Sequence, residues 1–132
     1  MEKAKPCILI IEDDEYSREA IEHLLNAKGC ETISAAGGLA GYRAARRFSP
    51  DLIVLDLVLP DIDGQRVLRK LRGNRALGQV PIIVITGYGP NQIPAGVSSS
   101  ADFCLTKPAS FDNLIRAIFN LLNGAGGSRE GK

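Results

Sequence analysis

An apolar run gives way to acids in the stretch IIEDDE, residues 10–15. Glu12, Asp13, Asp14 and Glu15 are consecutive, and carboxylates crowded in this way resist ionising together. A further carboxylate, Asp56, interrupts the apolar run DLIVLDLVL at 51–59, where burying it without a partner is costly. Thr86 closes VPIIVIT at 80–86, and Lys107 lies in LTKP at 105–108. Carboxylate oxygens are the ligands that Mg2+ prefers. A hydroxyl donates a hydrogen bond, and an ammonium neutralises negative oxygens. From the residues alone, the crowded acids could serve a metal, a helix cap or solubility. Asp14 and Glu15 have a simpler reading, as favourable charge at the start of a helix.

Which elements would bring them together? CILII at 7–11, residues 51–59 and residues 80–86 are short, continuous apolar runs rich in β-branched residues. Such runs suit strands buried on both faces of a parallel sheet. Weaker strands are expected at 31–35 and 102–106. Helices are expected between them. The first covers 15–27 and stops at Gly29. The second, 38–48, ends before Ser49-Pro50. The third, 64–72, carries Val67, Leu68 and Leu71 at helical spacing. The last, 110–122, starts at Ser110. This alternation predicts an α/β domain with a parallel sheet covered by helices on both sides. In open sheets of this kind, ligands bind beyond the carboxyl ends of the strands. Those ends carry Glu12-Asp13, Asp56, Thr86 and Lys107, so the chemistry-bearing residues are expected on one rim.

A chain of 132 residues with 45% hydrophobic residues has the size of one domain and enough apolar content for a core. The formal net charge of +1 and pI of about 7.7 give no overall reason to expect nucleic acid or a membrane surface as partner. No segment is apolar enough to span a bilayer, and no signal peptide is read at the N-terminus. Cys7, Cys30 and Cys104 are odd in number and lack CxxC spacing, so free thiols and a cytoplasmic location are expected. The lone His23 is read as an ordinary helix residue. Residues 1–123 are read as one domain and 124–132, GAGGSREGK, as a flexible polar tail. The basic stretch Arg66, Arg69, Lys70, Arg72 and Arg75 is read as a solvated helix face.

The ordered pieces IIEDD, DLIVLDLVLPDIDG, PIIVITG and LTKP resemble the response-regulator receiver domain, the CheY-like fold of two-component signalling. The resemblance covers roughly residues 6–122. It implies a doubly wound, five-stranded parallel sheet of flavodoxin-like order 2-1-3-4-5. It also implies residue roles. Asp56 matches the phosphoacceptor. Glu12, Asp13, Asp56 and the backbone carbonyl of Val58 match the ligands of Mg2+ (or Mn2+). Thr86 and Lys107 match the hydroxyl and lysine that contact the phosphoryl group, and Pro108 matches the proline after that lysine. The implied partners are a sensor histidine kinase or phosphotransfer protein and a downstream protein. No DNA-binding segment is read, and a monomer or weak dimer is expected. The domain would not be an enzyme beyond catalysing its own phosphorylation and dephosphorylation.

The sequence departs from the family pattern in two places. Cys104 stands where the family usually has an aromatic residue, and the adjacent Phe103 should point to the opposite face of its strand. Residues 87–100, GYGPNQIPAGVSSS, carry prolines and glycines that cost about 3 and 1 kcal/mol inside a helix, so a short or distorted fourth helix is expected. The rival reading is a flavodoxin-like cofactor enzyme. It would want backbone N–H groups free for a phosphate after the first strand, where this chain has acids.

Overall fold

The computed structural model describes residues 5–107 and 110–124. Five strands form one sheet: β1 (Cys7–Ile11), β2 (Glu31–Ala35), β3 (Leu52–Asp56), β4 (Ile82–Thr86) and β5 (Phe103–Thr106). Their order is β2-β1-β3-β4-β5 and every pairing is parallel, as the sequence predicts. The helices are α1 (Glu15–Ala27), α2 (Gly38–Phe48), α3 (Gly64–Gly73), α4 (Ala95–Ser100) and α5 (Phe111–Leu122).

The period of two along each strand sorts the apolar residues into two layers. Ile8, Ile10, Val54, Ile83 and Ile85 face α1 and α5, where Ile21, Leu25, Leu114 and Ile118 cover them. Leu9, Ile11, Ile53, Leu55 and Val84 face the other way, onto Ala45 of α2, Val67, Leu68 and Leu71 of α3, and Val97 of α4. The central strands are buried on both sides. Each large aliphatic side chain removed from water there contributes roughly 1.5–3 kcal/mol.

The apolar run 51–59 is longer than its strand. Leu57 still donates to the carbonyl of Ile85 at 3.2 Å, but its own carbonyl accepts from Gly64 N–H at 2.9 Å, which turns the chain toward α3. A Cβ on Gly64 would stand 2.5 Å from Leu57 Cα and 2.7 Å from the carbonyl oxygen of Asp56, so only glycine lets α3 begin this close to the end of β3. The run at 80–86 starts its strand at Ile82 because Pro81 has no N–H for the ladder. Residues 87–100 break as expected. They form a 3-10 turn, Pro90–Gln92, and the six-residue α4, with Pro94 at its N-cap. Beyond Gly124 the predicted tail lies outside the described residues, as does Pro108.

Two acids of the β3–α3 loop, Asp61 and Asp63, cap helices. Asp63 caps its own helix, accepting from Gln65 N–H at 2.9 Å. Asp61 reaches back to cap α2, accepting from Gly38 N–H at 2.8 Å and Leu39 N–H at 2.9 Å. Gly37, the N-cap residue of α2, has no side chain for that task. The bonds from Leu39 and Gly38 hold the Asp61 carboxyl below its ordinary pKa. A depressed folded-state pKa means the contribution is present above the unfolded value near 3.9 and is lost as pH falls through the folded one. Asp61→Ala is therefore expected to cost about 1 kcal/mol at neutral pH, as loss of an N-cap does. Urea unfolding compared at neutral and strongly acidic pH checks this, because the gap between variant and wild type should close in acid.

The reading of the basic stretch on α3 is corrected at Arg72. Its guanidinium is turned inward, where Nε donates to the carbonyl of Ser100 at 2.8 Å. Nη1 donates to Gly78 at 3.1 Å and Val80 at 2.7 Å, and Nη2 pairs with Asp102 Oδ2 at 2.9 Å. Asp102 Oδ2 also accepts from Ile82 N–H at 2.8 Å, so this arginine ties α3, the start of β4, the end of α4 and the entry to β5.

Candidate functional site

Strand parity assembles the site. Glu12, Asp56 and Lys107 each stand two residues beyond a side chain of the α1/α5 layer, namely Ile10, Val54 and Leu105. All three therefore leave the sheet on the same side at its carboxyl rim. Their contacts close the cluster. Lys107 Nζ lies 2.8 Å from Asp56 Oδ2 and 3.2 Å from Glu12 Oε1. The second oxygens are held by backbone, with Val58 N–H donating to Asp56 Oδ1 at 2.9 Å and Asp14 N–H to Glu12 Oε2 at 3.0 Å.

Glu12 and Asp56 are 0% and 2% exposed. Two carboxylates buried this far survive only with charged and hydrogen-bonding partners, which Lys107 and the two N–H groups provide. Burial pushes the Glu12 carboxyl above its ordinary pKa, and the charge of Asp56 adds to that push. The Asp14 N–H and Lys107 act in the opposite direction. Burial is also the largest influence on Lys107, where it favours the neutral amine. The hydrogen bond and charge of Asp56, helped by Glu12, outweigh it and raise the ammonium pKa.

Glu12, Asp13 and Asp56 each offer an oxygen, and these atoms lie within 4.8 Å of one another. Asp13 is exposed, so the cluster opens to solvent on its side. An all-oxygen donor set with room for water fits a hard divalent cation such as Mg2+. Val58 is brought to the site through its N–H bond to Asp56, while its side chain is exposed. Thr86 is buried, pairs with Thr106 across the ladder, and sits one residue past Ile85, the register partner of Asp56. Its Oγ1 accepts from Tyr88 N–H at 3.1 Å, and its carbonyl accepts from Lys107 N–H at 2.6 Å. Nothing stands within 4 Å of where a Cβ on Gly87 would be, which leaves the approach beside Thr86 open.

Arg18 was not singled out by sequence reasoning, yet it braces the acidic loop. Its Nη1 donates to the carbonyls of Glu12 at 2.9 Å and Asp13 at 3.4 Å. One turn into a helix that follows the acids, a basic residue has the reach to do this, and that spacing is its only signal. Asp14 is the N-cap of α1, accepting from Ser17 N–H at 2.9 Å, as its helix-start reading has it. The first turn of α1 thus meets a carboxylate rather than an open anion site, which removes the feature a flavin phosphate would require. Cys104 packs with the α2–α4 layer, while Phe103 points to the other face and is 46% exposed. The strand places no aromatic ring at the position of Cys104.

Fold and site together define a receiver-type α/β domain with an acidic rim. The chain belongs to the response regulator receiver domain family, whose pattern matches residues 8–119. It is 39% identical over 117 residues to the transcriptional regulatory protein AfsQ1 of Streptomyces coelicolor, covering 86% of this chain and 51% of AfsQ1. It is 29% identical over 119 residues to the polar-differentiation response regulator DivK of Brucella ovis, covering 89% of this chain and 97% of DivK. It spans about half the length of AfsQ1 and of the regulator RpaA of Synechocystis, and nearly all of DivK. Among solved structures, the CheY-like receiver domain protein of Methanospirillum hungatei superposes with a TM-score of 0.85 at 25% identity, covering 95% of this chain and 98% of that one. The receiver domain of Francisella response regulator 1452 gives 0.83 at 27%, covering 92% and 99%. As a receiver domain the chain is a component of two-component signalling. No helix among the described residues is long and apolar enough to cross a membrane.

Proposed function

We propose that Asp56 accepts a phosphoryl group from a phosphohistidine of a sensor kinase or phosphotransfer protein, in a reaction that depends on a divalent cation. The observation that carries this reading is the buried Asp56 carboxylate paired to Lys107 Nζ at 2.8 Å, inside a cluster of three carboxylates. An aspartate so placed is positioned as a nucleophile with positive charge beside it. A bond forms between an Asp56 oxygen and phosphorus as the phosphorus–nitrogen bond breaks, and the imidazole nitrogen keeps the electron pair.

Each neighbour has a role that follows from its contacts. Val58 N–H fixes one Asp56 oxygen and so sets the plane of the carboxylate. Lys107 holds the other and must yield part of that bond for attack. Its ammonium is then free to turn to the phosphoryl oxygens, where negative charge accumulates. Thr86 presents a hydroxyl from a fully buried position at the same rim, suited to donate to a phosphoryl oxygen. Glu12, Asp13 and Asp56 would hold the cation, which supplies charge neutralisation for the transferring group. Tyr16 and Phe111 are exposed on α1 and α5. The cleft of about 410 Å³ between these helices is lined by Glu12, Lys107, Phe111 and Leu114, which gives a donor protein an apolar seat next to the acceptor.

On this reading the domain turns over no separate substrate and works in the cytoplasm. Its phosphorylated form shifts the population between conformers already accessible. Incubation with acetyl phosphate and Mg2+ followed by intact-mass measurement tests the assignment. Wild type should gain the mass of one phosphoryl group, and EDTA should prevent the gain. Uptake undiminished by EDTA would remove the cation from the account. Mg2+ should also raise the thermal unfolding midpoint, by the linkage that any native-state ligand obeys. Asp13→Ala should erase most of that rise, since it removes the solvent-side oxygen of the cluster.

A further inference from the structure

We propose that the outer face of α2 and α3 is a docking surface for an acidic helical segment of a partner protein. The whole chain is nearly balanced, with 16 Lys and Arg against 15 Asp and Glu, yet residues 38–50 and 64–80 contain no acid at all. Exposed Arg43, Arg46 and Arg47 lie at helical spacing on α2, and exposed Arg66, Arg69 and Lys70 repeat that spacing on α3. Each helix therefore carries one basic ridge.

The two ridges form one surface. The helices pack against each other, and their ridges meet at Tyr42. Lys70 Nζ lies 4.9 Å from the centre of that ring and Arg46 Cζ 5.8 Å, while Asn74 Nδ2 donates to the Tyr42 hydroxyl at 3.2 Å. None of these six basic side chains is ion-paired with a described carboxylate, whereas the half-buried Arg72 is. Arg46, Arg47 and Lys70 lie in the last turns of their helices, where the dipole favours positive charge, but Arg43, Arg66 and Arg69 do not, and like charges three and four residues apart weaken an isolated helix.

The chemistry of the surface selects its occupant. Arginine dominates, and its planar fork matches a carboxylate in two parallel hydrogen bonds. Basic side chains at every third or fourth position on α2 and α3 match carboxylates repeated at the same spacing on a helix. Leu39, 42% exposed, stands one turn before Arg43 on the same side of α2 and calls for apolar contact as well as charge. A polyphosphate backbone offers no partner for Leu39, and the balanced overall charge lacks the strongly basic character of a nucleic-acid-binding domain. An amphipathic helix with carboxylates every third or fourth residue satisfies both demands. The surface lies over the sheet layer of Leu9 and Ile11, whereas Glu12, Asp56 and Lys107 lie on the side of Ile10, so docking and phosphoryl transfer can occur together.

The test is fluorescence anisotropy with a labelled amphipathic peptide bearing glutamates at that spacing, its glutamine-substituted counterpart, a short DNA duplex and a single-stranded RNA. The glutamate peptide should bind, and more weakly as salt rises. Combined Arg46→Glu and Arg69→Glu should weaken binding about tenfold or more, with Arg46→Gln and Arg69→Gln in between. Phosphoryl uptake from acetyl phosphate should be unchanged in both, which separates this surface from the Asp56 site and shows that the variants fold. Absence of peptide binding, equal binding of the glutamine peptide, indifference to charge reversal, or tighter binding of DNA or RNA would each overturn the proposal.

Discussion

Asp56→Asn is expected to abolish phosphoryl uptake from acetyl phosphate while leaving the fold intact. The amide oxygen can still accept the Val58 N–H bond that now measures 2.9 Å, so the side chain keeps its place at the end of β3. Lys107 keeps Glu12 as an anionic partner at 3.2 Å. What is lost is the nucleophile, because a neutral amide does not attack phosphorus, along with one of three oxygens available to the cation. Lys107→Met is the graded companion. It keeps the nucleophile but removes the cationic side chain that would offset charge on the transferring group. A loss of about 10²–10³ in the rate of uptake is expected from removal of such a preorganised charge. Intact mass over time separates the two outcomes. Equal labelling of Asp56→Asn and wild type would dismiss Asp56 as acceptor.

The largest effect on stability is expected far from this chemistry, at Arg72. Arg72→Met keeps most of the side chain's apolar stem but removes every hydrogen bond of the guanidinium. The carbonyls of Ser100, Gly78 and Val80 lose their shared donor, and the Asp102 carboxylate, 3% exposed, loses its cation. The pair is part-buried, with the Arg72 side chain 18% exposed, so the cost is about 2–3 kcal/mol, below that of breaking a fully buried pair. Urea unfolding should register a loss of that order. A double-mutant cycle of Arg72→Met and Asp102→Asn should show coupling between the two side chains, because they share the 2.9 Å ion pair. A loss comparable to that of an exposed arginine such as Arg75 would show that the hydrogen bonds around Arg72 carry no net energy.

The contrast between these residues explains how far the sequence could be read. The apolar runs of β1, β3 and β4 announce a buried parallel sheet because nothing else of that length tolerates water on neither face. Their carboxyl ends, with that of β5, put Glu12, Asp56, Thr86 and Lys107 on one rim before any coordinate is known. Pro90 and Pro94 announce a broken α4 for equally local reasons. Arg72 is illegible because three of its partners are backbone carbonyls, which carry no residue label, and its fourth, Asp102, is remote in the chain. Asp61 is illegible in the same way. It caps α2 from a loop that follows β3, and nothing in DIDG distinguishes an acid that caps its own helix from one that caps another. The roles of Thr86 and Lys107 toward a phosphoryl group came from family resemblance. The structure adds the ion pairs of Lys107 with Asp56 at 2.8 Å and Glu12 at 3.2 Å.

The central claim is that one carboxylate, Asp56, carries the phosphoryl group. Trapping measures it most directly. The protein is incubated with acetyl phosphate and Mg2+ and then treated with borohydride, which reduces an aspartyl phosphate to homoserine. The digested peptides are sequenced by mass spectrometry. The account predicts homoserine at position 56 and at no other aspartate. Homoserine at Asp13, or conversion shared among several acids of the rim, would contradict it.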